Sequence, residues 1–339
     1  MAEPGPLRLT VAEVIEETED ARSLVFEPPA GFTYRPGQFL TLRVPSERCG
    51  SVARCYSLCS SPHTGERPAV TVKRTPDGYA SNWLCDHVRP GTVLEALGPA
   101  GIFAPRSLGG DLLLFAAGSG ITPVSSIVKS ALVEGTGRLV LCYANRDERS
   151  VIFRDELRAL AGAHRGRLVV IHWLESLQGL PTVPQLRALA APHAGAEVLA
   201  CGPKPFLAVV RGALAGLAVP RERIHIERFA SLGANPFDRA TAPSPAGEIR
   251  STVELELDGT RHRLRWPAQT RLLDLLLDNG LAAPSSCREG ACGACACRLV
   301  SGEVKMLTNE VLEQEDLDDG IILACQSLPV TDVVEISYE

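Results

Sequence analysis

Short runs of apolar and β-branched residues, separated by proline and glycine, dominate the chain up to about residue 104. The runs read LRLTVAEVIEE, SLVFEPP, QFLTLRV, RCYSLCS and AVTVKRT, and only YASNWLCDHV has the spacing of a helix. Runs of this length and composition are typical of strands bounded by turns. Many short strands with a single helix predict a closed antiparallel β-barrel over residues 1–104.

The pattern changes between residues 105 and 229, where strands and helices alternate. The strands DLLLFAAG, RLVLCYA, LVVIHWL, EVLACG and RIHIERF are mostly apolar, and four amphipathic segments lie between them. These segments are PVSSIVKSALVEG, RDELRALAGA, PQLRALAAP and KPFLAVVRGALAGL. Apolar strands between helices predict an α/β domain whose parallel sheet is covered on both faces. Nucleotide-binding proteins often have this architecture, although a fold alone identifies no ligand.

A third unit follows a segment without apolar periodicity. Residues 230–249 are predicted to be a linker, because NPFDRATAPSPAGEI is rich in proline and alanine. An ordered surface loop is the alternative. In residues 250–339, TVELELDGTRHRLRW predicts a hairpin that turns at Asp258 and Gly259. Thr270 is expected to cap the helix RLLDLLLDN, which ends at Gly280. The final unit is therefore a small α+β domain, and the chain is multidomain.

Composition narrows the classes of function. A net charge of −6 over 339 residues argues against nucleic acid as the main partner. From Arg250 onward there are 8 Lys and Arg against 16 Asp and Glu, so the acidic charge is concentrated in the last domain. The start MAEPGPLRLTVAEV lacks the features of a secretory signal, and a cytoplasmic location is expected. In that compartment the 11 cysteines are not expected to form structural disulfides.

Four of the cysteines have the spacing of an iron–sulfur site. Cys287, Cys292 and Cys295 form C-x4-C-x2-C within CREGACGACAC, and Cys325 follows in LACQS. This spacing is that of plant-type ferredoxins, which hold a 2Fe–2S cluster. Zinc is the alternative, but structural zinc sites usually bring their ligands as two closely spaced pairs. Cys297 does not fit the pattern and is interpreted as a packed or free thiol.

Two motifs in the first domain favour a flavin site. The first is RCYS, residues 54–57, in a predicted barrel strand. Its arginine can bind a phosphate, its aromatic ring can cover an isoalloxazine, and its serine hydroxyl can contact the reactive nitrogen of the flavin. A GYAS turn then leads into a helix whose first amides could bind pyrophosphate. The GPAGIF turn at residues 98–103 adds to the pattern. The candidate flavin residues are Arg54, Tyr56, Ser57, Leu58, Gly78, Ala80 and Ser81.

Two loops of the second domain favour a pyridine nucleotide site. GSGITP follows a buried strand and precedes a helix, and CGP ends another predicted parallel strand. Ligands bind beyond the carboxyl ends of such strands, so both loops are expected to meet at one crevice. Asn145 and Arg146 are candidates for the adenosine ribose, with Asp147 as a weaker acidic candidate. The loop candidates are Gly118, Gly120, Thr122, Pro123, Cys201, Gly202 and Pro203.

Together these residues resemble the ferredoxin–NADP reductase superfamily, and the C-terminal cysteine motif makes the chain similar to the reductase components of two-component Rieske oxygenases. The segments GYASNWLCDHV, YANRDERSVIF, HWLESLQGLP and LACQS look most like the members that serve oxygenases of steroid rings. The resemblance implies FAD, with FMN less favoured, NADH, and a Rieske oxygenase as electron acceptor. It also implies a β-grasp fold for residues 250–339.

The resemblance further implies roles for individual residues. Arg54 would bind the flavin phosphate, Tyr56 would pack on the ring and Ser57 would contact the redox nitrogen. Thr122 and Cys201 would flank the nicotinamide, while Glu227 and Phe229 would close the flavin side. One departure concerns Phe229: plant-type members end in an aromatic residue that covers the flavin, whereas this chain continues beyond it.

Three functional hypotheses follow. The first is electron transfer from NADH through the flavin and the cluster to a steroid-ring oxygenase. The second is the same chemistry in support of another oxygenase, such as one acting on an aromatic acid. The third is a zinc-binding or redox-sensing module without turnover. The acidic stretch EVLEQEDLDDG, residues 310–320, is interpreted either as a solvated surface or as a docking surface for the oxygenase.

Overall fold

The computed structural model describes residues 6–238, 249–257 and 259–338. Its first part, the barrel domain, has six antiparallel strands in the order β4-β3-β6-β1-β2-β5. Between the two edges of this sheet the described residues form a single isolated bridge, from Leu58 to Val70. The sheet is therefore a half-barrel and not the closed barrel that the sequence predicted. Its elements are β1 Leu7–Thr18, β2 Ala21–Glu27, β3 Phe39–Ser46, β4 Gly50–Ser57, β5 Ala69–Lys73, α1 Tyr79–His87 and β6 Val93–Ala100.

The parallel-sheet domain follows, with five strands in the order β11-β10-β7-β8-β9. All neighbouring strands are parallel, as the apolar runs predict, and hydrophobic clusters cover both faces of the sheet. The strands are β7 Leu112–Ala117, β8 Leu139–Asn145, β9 Leu168–Leu174, β10 Glu197–Cys201 and β11 Ile224–Glu227. The helices are α2 Ile121–Glu134, α3 Arg154–Ala163, α4 Glu175–Gln178, α5 Val183–Ala190 and α6 Lys204–Ala215. Strand order reverses between β7 and β10, which places a ligand crevice at their carboxyl ends.

The cysteine domain is a mixed five-stranded sheet, in the order β13-β12-β18-β14-β16, with a separate β15-β17 pair. Strands β12 and β18 are parallel neighbours, and the apolar face of α7 packs into the core around Trp266. The elements are β12 Ile249–Leu257, β13 Thr260–Pro267, α7 Leu272–Asp278, β14 Ala296–Ser301, β15 Val304–Met306, α8 Gln314–Asp318, β16 Ile321–Leu323, β17 Ser327–Pro329 and β18 Val333–Ser337.

Two details of this domain bear on the sequence predictions. The hairpin is present, with Leu257 paired to Thr260, while Asp258 of its turn lies outside the described residues. The prediction that Thr270 caps the helix is wrong, because Arg271 occupies the N-cap position. The Thr270 carbonyl instead accepts a 2.7 Å hydrogen bond from the indole of Trp266, and its buried hydroxyl has no partner among the described residues.

The first half of the predicted linker packs on the barrel domain. Leu232 is buried, and Asn235 donates a 2.8 Å hydrogen bond to the Ser51 hydroxyl. Asp238 pairs with Arg43 at 3.5 Å. Residues 239–248, the other part of the predicted linker, lie outside the described residues. In the described ranges, none of the helices has the length and apolar character required to cross a lipid bilayer.

Candidate active site

A cleft of about 340 Å³ lies where the barrel domain meets the parallel-sheet domain. It brings together most of the predicted flavin residues with two residues of the GSGITP loop, Ser119 and Thr122. From β4, α1, α2 and the segment after β11 it is lined by Arg54, Tyr56, Ser57, Gly78, Ala80, Ser81, Thr122 and Phe229. The predicted flavin-binding residues, apart from Leu58, therefore line one cleft.

Strand β4 supplies the side chains that line one wall of the cleft. The Arg54 guanidinium donates to the carbonyl oxygens of Ala53 and Leu232, at 2.7 and 3.1 Å, which fixes its position at the rim. Burial raises the pKa of Tyr56, so its hydroxyl stays protonated. Ser57 is buried at the end of the strand. The Leu58 side chain differs from this group, because it packs in the barrel core.

The second wall is the start of α1, which is suited to an anion. Gly78 is the N-cap, and within the described chain no side chain caps the first turn, so its amide groups are available to a ligand. A Cβ at Gly78 would lie 2.9 Å from the Cβ of Thr75, which explains why glycine is needed there. Lys73 lines the same cleft and adds a positive charge. This wall fits the pyrophosphate of a flavin dinucleotide.

The GSGITP and CGP loops meet at the predicted crevice. A Cβ on Gly120 would lie only 2.1 Å from the Cys201 carbonyl oxygen, so the two loops are in direct backbone contact. Gly118 has a positive φ of 54°, and its carbonyl accepts a 3.1 Å hydrogen bond from the hydroxyl of buried Tyr143. The Thr122 hydroxyl donates to the Ser119 carbonyl at 3.0 Å and so fixes the start of α2. Because glycine has no side chain, a nucleotide could lie close to the backbone of this loop.

Three predicted residues close the crevice. Cys201 is fully buried, and burial raises the pKa of its thiol well above the usual value, so it is a neutral group. Burial also raises the pKa of Glu227 to about 8, which leaves that carboxyl protonated at neutral pH. Phe229 is 50% exposed and lines the cleft, where its ring is free to cover a bound flavin. Although the chain continues beyond it, Phe229 therefore lies on the flavin side of the cleft.

The residues predicted to bind the adenosine ribose lie in different environments. The amide of Asn145, at the end of β8, is buried, and both of its polar atoms have no hydrogen-bond partner within residues 6–238, 249–257 and 259–338. A buried amide of this kind is suited to a polar ligand. Arg146 instead pairs with Asp20 of the barrel domain at 3.0 Å. The Asp147 carboxylate accepts the Ser150 amide at 3.0 Å as the cap of a short 3₁₀ turn.

The four predicted cluster cysteines form two pairs. The Cys287 amide donates to the Cys292 sulfur at 3.5 Å, and the Cys325 amide donates to the Cys295 sulfur at 3.4 Å. The partner thiol is the main cause that lowers the pKa of Cys287, and the same holds for Cys325. Across the part of the chain that the structure describes, no group of three or more His, Cys, Asp or Glu converges on a single metal position. Two pairs suit two bridged irons better than one tetrahedral zinc.

The loop conformation around these sulfurs depends on its glycines. Gly290 and Gly293 have φ values of 85° and 70°, which favour glycine. A Cβ at Gly290 would also lie 2.8 Å from the Thr308 carbonyl oxygen. Backbone N–H groups point at the sulfurs, with Glu289 donating to Cys287 at 3.4 Å and Ala294 to Cys292 at 3.5 Å. The donor set therefore fits thiolates that carry the negative charge of a cluster.

The cysteine loop packs directly on the barrel domain beside the flavin cleft. Thr41 and Ser286 are linked by a buried hydrogen bond of 2.6 Å, and Ala291 and Ala294 are buried at the contact. A small cavity of about 20 Å³ adjoins the cleft at this contact. It is lined by Ser57 and Cys292 together, so the flavin site and the cluster site are neighbours.

Several site residues were not predicted. Cys55, within the RCYS strand, was not named as a candidate, but it lines both the cleft and the small cavity. Lys73 follows Thr71 at the two-residue spacing of a strand, and that alternation was the available signal for its place in the cleft. Tyr79 and Ser119 lie within the GYAS and GSGITP motifs but were not named as candidates. The other unpredicted lining residues belong to no motif, and they are Thr71, Thr75, Ala230 and Ser231.

The acidic stretch at residues 310–320 also has a specific environment. Glu313 pairs with Arg211 and Arg228 of the parallel-sheet domain, the latter at 2.6 Å. Arg221 pairs with two further carboxylates of the stretch, at 3.3 and 3.0 Å. Part of this acidic surface therefore joins two domains of the same chain.

Comparisons with known proteins agree with this geometry. Family models match an oxidoreductase FAD-binding domain at residues 8–104, an oxidoreductase NAD-binding domain at 114–212 and a 2Fe-2S iron-sulfur cluster binding domain at 255–330. The chain is 57% identical over 343 residues to the ferredoxin reductase component of 3-ketosteroid-9-alpha-monooxygenase from Mycobacterium tuberculosis. That alignment covers 98% of this chain and 96% of the relative. The chain belongs to this family of oxygenase reductases.

Other members of the family and a solved structure extend the comparison. The corresponding reductase component of Rhodococcus rhodochrous is 55% identical, covering 97% of this chain and 96% of the relative. Phthalate dioxygenase reductase, described as a modular structure for electron transfer from pyridine nucleotides to [2Fe-2S], superimposes with a TM-score of 0.60 at 27% identity. That match covers 98% of both chains. The family membership confirms the predictions of FAD, a pyridine nucleotide and a 2Fe–2S cluster, and of electron-transfer chemistry.

Proposed function

We propose that this reductase passes electrons from NADH, through FAD and the cluster, to a Rieske-type oxygenase that hydroxylates 3-ketosteroids. The observation that carries the proposal is the cavity shared by Ser57 and Cys292, because it places the flavin cleft directly against the cluster loop. The steroid oxygenase as acceptor rests on the identity to 3-ketosteroid-9-alpha-monooxygenase reductases over nearly the whole chain.

A bound flavin supplies the conversion between a two-electron donor and a one-electron acceptor. The chain's own residues orient it. Arg54 and the first amides of α1 would bind its phosphates, while Tyr56 would pack on the ring system. The buried Ser57 hydroxyl would hydrogen-bond the redox nitrogen, and the half-exposed Phe229 would close the flavin side.

The two loops at the sheet crevice hold the pyridine nucleotide. Gly118 would allow the backbone to approach its pyrophosphate, Gly120 lets the two loops meet, and Thr122 and Cys201 would flank the nicotinamide. Asn145 hydrogen-bonds the adenosine ribose with its otherwise unpartnered amide. Stacked reactants gain rate mainly from orientation, so these residues act by positioning and not by acid–base chemistry.

The four thiolates would hold the 2Fe–2S cluster, with Cys287 and Cys292 as one pair of ligands and Cys295 and Cys325 as the other. The N–H groups aimed at the sulfurs stabilise the thiolate form and tune the cluster potential.

The oxygenase docks beside the acidic part of the cysteine domain. Since Glu313 is engaged by arginines of the parallel-sheet domain, the exposed carboxylates of Glu310 and Asp318 remain for a basic partner. Glu310→Gln combined with Asp318→Asn should slow electron delivery to the oxygenase and spare dye reduction by NADH. Glu303→Gln, which neutralises another exposed carboxylate of the same domain, is the matched control. Equal slowing of delivery by both changes would contradict docking at this surface.

Reconstitution tests the function as a whole. Protein purified without oxygen should contain FAD, iron and acid-labile sulfide, and NADH should reduce the cluster, as followed by electron paramagnetic resonance. Added to a 3-ketosteroid oxygenase component, it should support NADH-dependent steroid hydroxylation. Turnover with an aromatic-acid oxygenase but not with the steroid oxygenase would reassign the partner. Absence of flavin and sulfide would refute the proposal.

A further inference from the structure

A charged contact between two domains lies at the expected position of the adenosine ribose. Arg146 directly follows β8, the strand next to β7 in the sheet, and Asn145 beside it has an unpartnered buried amide. In folds of this kind an acidic residue near the second strand favours NAD, whereas a nearby arginine accommodates the 2′-phosphate of NADP. The position of Arg146 alone therefore favours NADPH.

The Arg146 guanidinium is not free to play that role. One of its nitrogens lies 3.0 Å from a carboxylate oxygen of Asp20, which belongs to the turn between β1 and β2 of the barrel domain. Asp20 is itself held in place, since its other oxygen accepts a 2.8 Å hydrogen bond from Thr18. Lys73 lies 3.7 Å from the same oxygen that pairs with Arg146.

We propose that Asp20 is a specificity-determining residue that selects NADH over NADPH by neutralising Arg146 from the neighbouring domain. With Asp20 in place, a 2′-phosphate would meet a guanidinium that is already paired and a carboxylate that repels it. NADH has only a hydroxyl at that position and has no such conflict. The inference rests on the proposed function to the extent that NADH is the electron donor.

The difference in exposure between Arg146 and Asp20 means that a change at Asp20 alone should alter the preference for NADH over NADPH. The Arg146 side chain is 67% exposed, so it is accessible to a ligand, whereas Asp20 is only 29% exposed and is fixed by its partners. The nearby Asp147 carboxylate is used as the cap of the 3₁₀ turn. Removing the charge of Asp20 should therefore release the arginine without disturbing the strand that carries it.

Asp20→Asn tests the proposal in the intact, cofactor-loaded protein. The ratio of kcat/KM for NADPH to that for NADH, measured with an artificial acceptor, should rise by about tenfold or more, mainly through a lower KM for NADPH. Combining it with Arg146→Ala should abolish the gain. Glu16→Gln, which breaks the ion pair with Arg22 on the same pair of strands, is the matched control and should leave the ratio unchanged.

A binding measurement separates this inference from the proposed function. The affinity for 2′-phospho-AMP relative to AMP, measured by calorimetry, should increase in Asp20→Asn and does not depend on hydride transfer. Flavin content and Tm report whether the variant folds, and Thr18→Val, which frees one oxygen of Asp20, should shift the ratio in the same direction by a smaller amount. An unchanged donor ratio and an unchanged 2′-phospho-AMP affinity would overturn the inference. A wild-type protein that does not oxidise NADH would instead overturn the proposed function.

Discussion

Replacing Gly120 by alanine should separate the two loops that hold the pyridine nucleotide. The added Cβ would lie 2.1 Å from the Cys201 carbonyl oxygen, 2.5 Å from its carbon and 2.8 Å from the Gly202 nitrogen. All three are backbone atoms, so no side chain can rotate away. The loops must move apart by roughly 1 Å to reach a normal contact.

That displacement sets the expected size of the effect. A shift of about 1 Å in a positioning element can cost up to about 100-fold in rate, because the reactants no longer lie in a productive geometry. We expect kcat/KM for NADH in Gly120→Ala to fall by about 10-fold to 100-fold. Overpacking also costs about 1–3 kcal/mol of folding free energy, so Tm should drop by several degrees.

Gly137 provides a control with the same steric demand in another place. A Cβ there would lie 2.0 Å from the Gly110 carbonyl oxygen, at the amino ends of β7 and β8, remote from the crevice. Gly137→Ala should lower Tm comparably and leave kcat/KM for NADH within about twofold of wild type. Steady-state NADH oxidation with a dye acceptor and thermal unfolding measure both quantities. A normal kcat/KM for NADH in Gly120→Ala, or an equal fall of kcat/KM in both variants, would refute the argument.

Three further changes have distinct outcomes. Cys292→Ser should lose bound iron and sulfide whereas Cys297→Ser should retain them, and equal loss would contradict the ligand assignment. Burial raises the pKa of Glu227 from 4.5 to about 8, so the stability that this carboxyl contributes at low pH is lost as the pH rises through that range. The Tm of Glu227→Gln should therefore depend less on pH than that of wild type between pH 4.5 and about 8. Identical pH profiles of Tm for the two proteins would contradict this account. Arg221→Ala removes two ion pairs to the cysteine domain, each worth at most about 1 kcal/mol; it should make cluster reduction by NADH more sensitive to salt than dye reduction, and matched sensitivities would exclude a role in domain contact.

Local patterns predicted the parts of the site that depend on local structure. The spacing of CREGACGAC indicated the cluster type because three of the four ligands, Cys287, Cys292 and Cys295, lie in one short loop. The convergence of Gly120 and Cys201 followed from topology, since the carboxyl ends of parallel strands meet at one edge of a sheet. The wrong prediction at Thr270 is local too: its carbonyl is engaged by the Trp266 indole, and the helix begins one residue later.

Contacts between domains could not be predicted in this way. Nothing in the sequence near Asp20 indicates Arg146, because the two residues are 126 positions apart and belong to different sheets. The acidic stretch at residues 310–320 was interpreted as a solvated surface or a docking surface, and only the packing of the domains brings Arg228 to Glu313. Cys55 reads as a core thiol for the same reason, as its neighbours come from the far end of the chain.

The seal between the cysteine loop and the barrel domain has a consequence for oxygen chemistry. Ala291 and Cys292 line the small cavity that adjoins the flavin cleft, and Ala294 and the Thr41–Ser286 hydrogen bond belong to the same contact between the domains. Dioxygen that reached a reduced flavin at this contact would take electrons and form hydrogen peroxide. A loosened seal should therefore raise wasteful peroxide release, which makes the tight packing of two small alanines a safeguard of coupling as well as of folding.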